Sequence, residues 1–176
     1  MNDSERTIRV FAFDTAYHCC GPWPAVGLEA SWGLVFFESQ RPDRPLATAF
    51  DAEAKSLREP YVGGYPTLLC AGGLTAYWDA PALVEGPVAV RGLLITDHHG
   101  GLPEDVPHTR GRVSRLWLVS ELLVLSEGRF ELVEGAEQLS PIDCAPRGIR
   151  YLDQSAERQR RTGGVAMDLM VLSPDR

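Results

Sequence analysis

The sequence is defined first by what it is short of. No apolar run approaches the roughly 18 residues a helix needs to cross a bilayer, so no helical membrane span is expected. Met1-Asn2-Asp3-Ser4-Glu5-Arg6 is polar and lacks the apolar core of a secretory leader. The expected compartment is therefore the reducing cytoplasm. Cysteine is scarce: Cys19, Cys20, Cys70 and Cys144 are expected as thiols or metal ligands rather than as a disulfide frame. Positive charge is in deficit, 17 basic against 24 acidic residues for a net charge of −7, which disfavours general nucleic-acid binding. Lys55 is the only lysine, as expected from the codon use of a GC-rich genome. No Walker or dinucleotide fingerprint surrounds Gly63-Gly64 or Gly72-Gly73, and no nucleophile elbow is present. Internal repeats and linkers are also missing, which leaves one domain over residues 1–176.

What the chain has in quantity is turns. Glycine (17) and proline (13) punctuate short apolar runs, a pattern that favours strands over a helical bundle. Strands are expected at Ile8–Phe13, Leu28–Glu38, Val88–Thr96, Arg112–Leu125 and Val165–Leu172, with a hairpin at Ser126-Glu127-Gly128 leading to Phe130–Val133. The first two strands, joined by a short loop, are most simply an antiparallel pair. Gly92 is expected to mark a bulge or a close approach of backbones. Leu46, Phe50, Ala54 and Leu57 fall at helical spacing, so one helix is expected over 44–57, within an irregular inserted segment spanning 39–87. The expected fold is mainly β: a small antiparallel barrel or roll of the oligonucleotide-binding or SH3-like kind, with one helical insertion.

Two turns concentrate the chemistry. His18-Cys19-Cys20-Gly21 follows the first strand, and Asp97-His98-His99-Gly100 follows the strand that ends at Thr96. Together they hold three of the four histidines and half of the cysteines. Thiolate and imidazole are the ligands zinc prefers, so Cys19, Cys20, His98 and His99 are the candidate metal ligands, with Asp97 able to orient an imidazole and Cys70 as a further donor. Adjacent cysteines do not match the two-residue spacing of zinc ribbons, and the ordinary alternative is a core cysteine beside exposed loop histidines. Convergence of the two turns is the condition on which a shared site depends. Five arginines between Arg147 and Arg161 form a local basic stretch, read as a solvated loop rather than an anion site. Trp23, between two prolines, is either core or an exposed ligand platform.

The combination resembles a family of small uncharacterised bacterial domains of unknown function. Its marks are a Cys-Cys-Gly turn followed by Val-Gly and a strand with Ser-Trp, then a His-His-Gly turn followed by Thr-Arg-Gly-x-Val. Here they are Cys19-Cys20-Gly21, Val26-Gly27, Ser31-Trp32, His98-His99-Gly100 and Thr109-Arg110-Gly111-Arg112-Val113. The resemblance implies no activity, only that the two turns form one site. The functional expectation is a non-enzymatic binding or accessory domain for a protein or small-molecule partner, with a zinc ion as its one candidate cofactor. The opposing readings are a zinc- or cysteine-dependent hydrolase built from the same residues and a single-stranded nucleic-acid-binding barrel.

Overall fold

A computed structural model describes residues 6–19, 21–39, 44–57, 59, 63–97, 101–133, 135–148 and 155–173. The fold is mainly β and contains a closed five-stranded barrel. Its staves are β3 (Leu34–Glu38), β4 (Thr48–Ser56), β5 (Tyr65–Ala71), β6 (Leu74–Ala80) and β7 (Gly86–Thr96). The ring runs β7-β3-β6-β5-β4 and closes because β4 also pairs with β7. From β7 the same sheet continues out of the barrel as a second part of the fold, hereafter the second sheet, through β1 (Arg6–Phe13), β11 (Arg158–Val171) and the long β8 (Thr109–Ser126). Three short strands, β2 (Glu29–Trp32), β9 (Arg129–Leu132) and β10 (Gln138–Pro141), each pair with β8.

One core fills both parts. Phe36 is fully buried between Phe50 and Trp78, edge-on to each at centroid distances of 5.9 and 5.7 Å. Val10, Val113, Met167 and Leu169 extend the same cluster under the second sheet. The barrel side is joined to β8 at Thr109, which is fully buried. Its hydroxyl accepts from Thr75 N–H and donates to Thr75 C=O, both at 2.8 Å, imitating a backbone bridge.

The strands expected near residues 8–13, 88–96, 112–125 and 165–172 lie within β1, β7, β8 and, but for Leu172, β11. The hairpin turns on Glu127 and Gly128, both at positive φ (48° and 78°), the conformation a two-residue turn needs to match strand twist. Gly92 is a close approach: a Cβ there would lie 2.1 Å from the Phe37 carbonyl oxygen and 2.8 Å from the Phe36 ring.

Four expectations need correction. Residues 44–57 do not form a helix, because Thr48–Ser56 is strand β4. Phe50, Ala52 and Ala54 alternate inward against exposed Asp51, Glu53 and Lys55, and a two-residue period wins because β5 and β7 flank the segment on both sides. The stretch 39–87 is accordingly no appendage, since it supplies β4, β5 and β6 and the barrel cannot close without them. The expected strand over 28–38 is broken at Gly33, with Trp32 pairing to β8 and Leu34 to β7. It does not pair with β1, which lies between β11 and β7. The chain after β1 forms a short helix, α1 (Asp14–Cys19), and is carried across to β8, where Gly27 N–H donates to Val113 C=O at 2.8 Å. Among the described residues no helix is long and apolar enough to cross a membrane.

Candidate functional site

The register that builds the site is one parallel pairing, Phe11 of β1 with Ile95 of β7. Parallel strands end on the same side of a sheet, so the segment leaving β1 at Asp14 and the segment leaving β7 at Asp97 emerge side by side although some eighty residues separate them. Between them lies a cavity of about 190 Å³. Tyr17 of α1 and Gly21-Pro22 wall it on one side, Thr96 and Asp97 on another, and Trp32, Gly33 and His108 complete it.

Each polar group is placed by local structure. Asp14 opens α1, where an acid complements the helix dipole, and its carboxylate accepts from Thr15 N–H at 2.7 Å. Gly21 N–H closes the far end on Ala16 C=O at 3.1 Å. Asp97 N–H donates to Gly33 C=O at 2.8 Å, prolonging the β3–β7 ladder, while its carboxylate accepts from Leu102 N–H at 3.3 Å. A Cβ on Gly101 would lie 2.9 Å from that carboxylate, so a glycine at 101 is what permits this close approach.

Tyr17 is the unusual member. It is 4% exposed, and among the described residues its Oη has no hydrogen-bond partner. Burial, aided by the charge of Asp14, pushes its phenol up to about 12, so the hydroxyl stays neutral at any physiological pH. Spectrophotometric titration should therefore show one of the five tyrosines ionising near pH 12, and Tyr17→Phe should remove that step. Because the folded phenol ionises above the usual 10.0, its influence on stability is flat below pH 10. Stability then falls between pH 10 and 12, as the unfolded chain loses a proton that the fold retains. Deleting an orphan hydroxyl removes a buried desolvation penalty, so Tyr17→Phe should leave the protein as stable or about 1 kcal/mol more stable at neutral pH. A loss of more than about 1 kcal/mol would show that Oη has a structural partner.

His18, Cys19 and Trp23 have other placements. His18 Nδ1 donates to Asp14 C=O at 2.6 Å, and its Nε2 accepts from Gly148 N–H at 3.2 Å, tying the 143–148 segment to α1. Trp23 is no open platform. Its Nε1 donates to Ala145 C=O at 3.0 Å, and its ring meets Tyr17, His18 and Arg147. Cys19 is exposed at the end of α1, whereas Cys20, His98 and His99 lie outside the described residues. Cys70 is half-buried on β5 opposite Thr75, away from the cavity wall. Among the described residues no group of three His, Cys, Asp or Glu side chains could hold a metal ion. The Arg147–Arg161 stretch is not purely a loop, for Arg158, Arg160 and Arg161 belong to β11. Arg161 pairs with Glu121 at 3.0 Å, and Arg160 donates to Ala136 C=O at 2.9 Å.

Sequence reasoning singled out Asp97 but missed Tyr17 and His108. A tyrosine in a polar segment after a strand and a lone histidine before one give no local signal, and only the parallel β1–β7 pairing reveals Tyr17 as a wall. No protein-family model, curated protein or solved structure matches the chain, so the chemistry of the cavity carries the functional reading.

Proposed function

We propose that this chain is a binding domain that takes a small ligand in the cavity shared by the segments after β1 and β7. One observation supports this above others: residues of both segments wall the cavity, and Tyr17, one of them, has a buried hydroxyl with no partner among the described residues. Buried polar groups are nearly always satisfied, and an exception beside a cavity is what a ligand hydroxyl or amine would complete. An apolar floor of Ala12 and Ala16 under a few polar groups is the usual make-up of such a site.

The resemblance to the Cys-Cys-Gly/His-His-Gly domains is kept as part of the proposal, as is a zinc ion held by Cys19 with Cys20, His98 or His99. Two measurements test these readings. In a fragment screen followed by backbone amide NMR, binders should shift Tyr17, Thr96, Asp97 and Leu102 together. Shifts confined to other surfaces, or no binder at all, would overturn the small-ligand reading. Elemental analysis of protein purified without a tag should give about one zinc per chain if the metal reading holds, and a zinc content near zero would remove it.

A further inference from the structure

Among the described residues β9 pairs with β8 alone, which leaves its other edge without a strand partner. The hairpin register sets Ser126 against Arg129, Leu125 against Phe130, Val124 against Glu131 and Leu123 against Leu132. Directly opposed residues share a face, so Leu125, Phe130 and Leu132 lie on one side of the hairpin and Arg129 and Glu131 on the other. Leu125 and Leu132 are 38% and 40% exposed, and Val133 follows at 36%, so three of the seven exposed large hydrophobic side chains of the described residues gather on this one hairpin. The turn decides which backbone groups are left over. A two-residue loop closes on a pair bonded in both directions, so Arg129 and, two residues on, Glu131 spend their amides and carbonyls on β8. Phe130 and Leu132 therefore direct theirs to the open edge.

We propose that a second copy of this chain docks on that edge, β9 antiparallel to β9, about a twofold axis at Phe130. The strand Arg129-Phe130-Glu131-Leu132 is self-complementary in this register. At the axis the two Phe130 residues would exchange N–H to C=O hydrogen bonds in both directions, with their rings side by side on the apolar face. To either side, Arg129 of one copy falls opposite Glu131 of the other, at the non-hydrogen-bonded positions where opposed side chains come closest. The same charges reject the neighbouring registers. Sliding one copy by two residues sets Glu131 against Glu131 or Arg129 against Arg129, and like charges directly opposed are destabilising. So short a ladder makes a reversible dimer rather than an obligate one.

Sedimentation of the full chain over a concentration series reaching about 0.5 mM should show a monomer–dimer equilibrium. Arg129→Glu and Glu131→Arg each turn both charge pairs repulsive, and each should weaken the dimer at least about tenfold. Mixed in equal amounts the two variants should dimerise again, because every pair across a mixed dimer joins opposite charges. In the wild-type chain the amide signal of Phe130 should shift with protein concentration, a readout that does not depend on how the variants fold. A chain that stays monomeric throughout would overturn the proposal and leave the edge to a different occupant. A dimer indifferent to both substitutions, a mixture that fails to recover it, or concentration-dependent shifts confined to other strands would overturn it too, since two copies would then not meet through β9.

Discussion

Gly92→Ala is expected to lower the thermal midpoint by roughly 10 °C or more, if a cooperative transition survives at all. The added methyl would sit 2.1 Å from the Phe37 carbonyl oxygen and within 2.9 Å of two Phe36 ring atoms. The carbonyl cannot step aside, because β3 and β7 are in ladder register through Phe37–Leu93 and Glu38–Gly92, and Gly92 also faces Thr48 of β4. It is therefore the residue at which the two ends of the barrel meet. Relieving the overlap means separating β3 from β7 or expelling Phe36 from between Phe50 and Trp78. Overpacking ordinarily costs about 1–3 kcal/mol, and dislodging a buried Phe about 3–5 kcal/mol. Against a total stability of about 5–15 kcal/mol, either is a large fraction. Circular dichroism melts of the two proteins decide the matter, and a shift below about 2 °C would mean that the closure is softer than this packing implies.

The same glycine shows what the sequence makes legible. A lone glycine inside an apolar alternation has few uses, and close backbone approach is one of them. The long strands were equally readable, because Val165 to Val171 keeps a two-residue period and Val113 to Leu125 is a long run rich in branched apolar residues. Residues 48–56 were not, since Phe50 and Ala54 are four apart and satisfy a helical and a strand period alike. The extra inward residue, Ala52, is too small to announce itself. Neighbours settled it, and neighbours are nonlocal information. The break at Gly33 is of the same kind, as two separate partner strands, β8 and β7, pull Trp32 and Leu34 apart. At the site, the sequence marked the positions after β1 and β7 as chemically rich. Their adjacency, however, follows from a parallel pairing that no hairpin logic anticipates. Tyr17 became interesting only once its burial and lack of a partner were visible.

The second large effect is expected at Arg44. The segment Arg44–Ala47 crosses the outer face of the second sheet, where Leu46 covers Phe11, Val119 and Ala166. Two arginines hold it there: Arg9 donates to Pro45 C=O at 3.0 Å, and Arg44 Nη2 donates to Glu137 Oε1. The Glu137 side chain is only 1% exposed, against 18% for Arg44, and both Arg44 Nε and Glu137 Oε2 are buried without a partner among the described residues. An ion pair with an unsatisfied atom on each side leaves part of its desolvation cost uncompensated, so its net worth is small. Breaking it is another matter. Arg44→Ala strands a carboxylate that cannot reach water and should cost about 3–5 kcal/mol. Glu137→Ala should cost less, because the guanidinium can swing outward from its more exposed position. Replacing both together, as Arg44→Met with Glu137→Leu, removes every unsatisfied atom while retaining bulk, and should restore stability to within about 1 kcal/mol of wild type or exceed it. Urea unfolding of the four proteins, treated as a double-mutant cycle, measures these terms. If the double variant were as unstable as Arg44→Ala, the pair itself, and not the stranded charge, would be what pins the segment over Phe11.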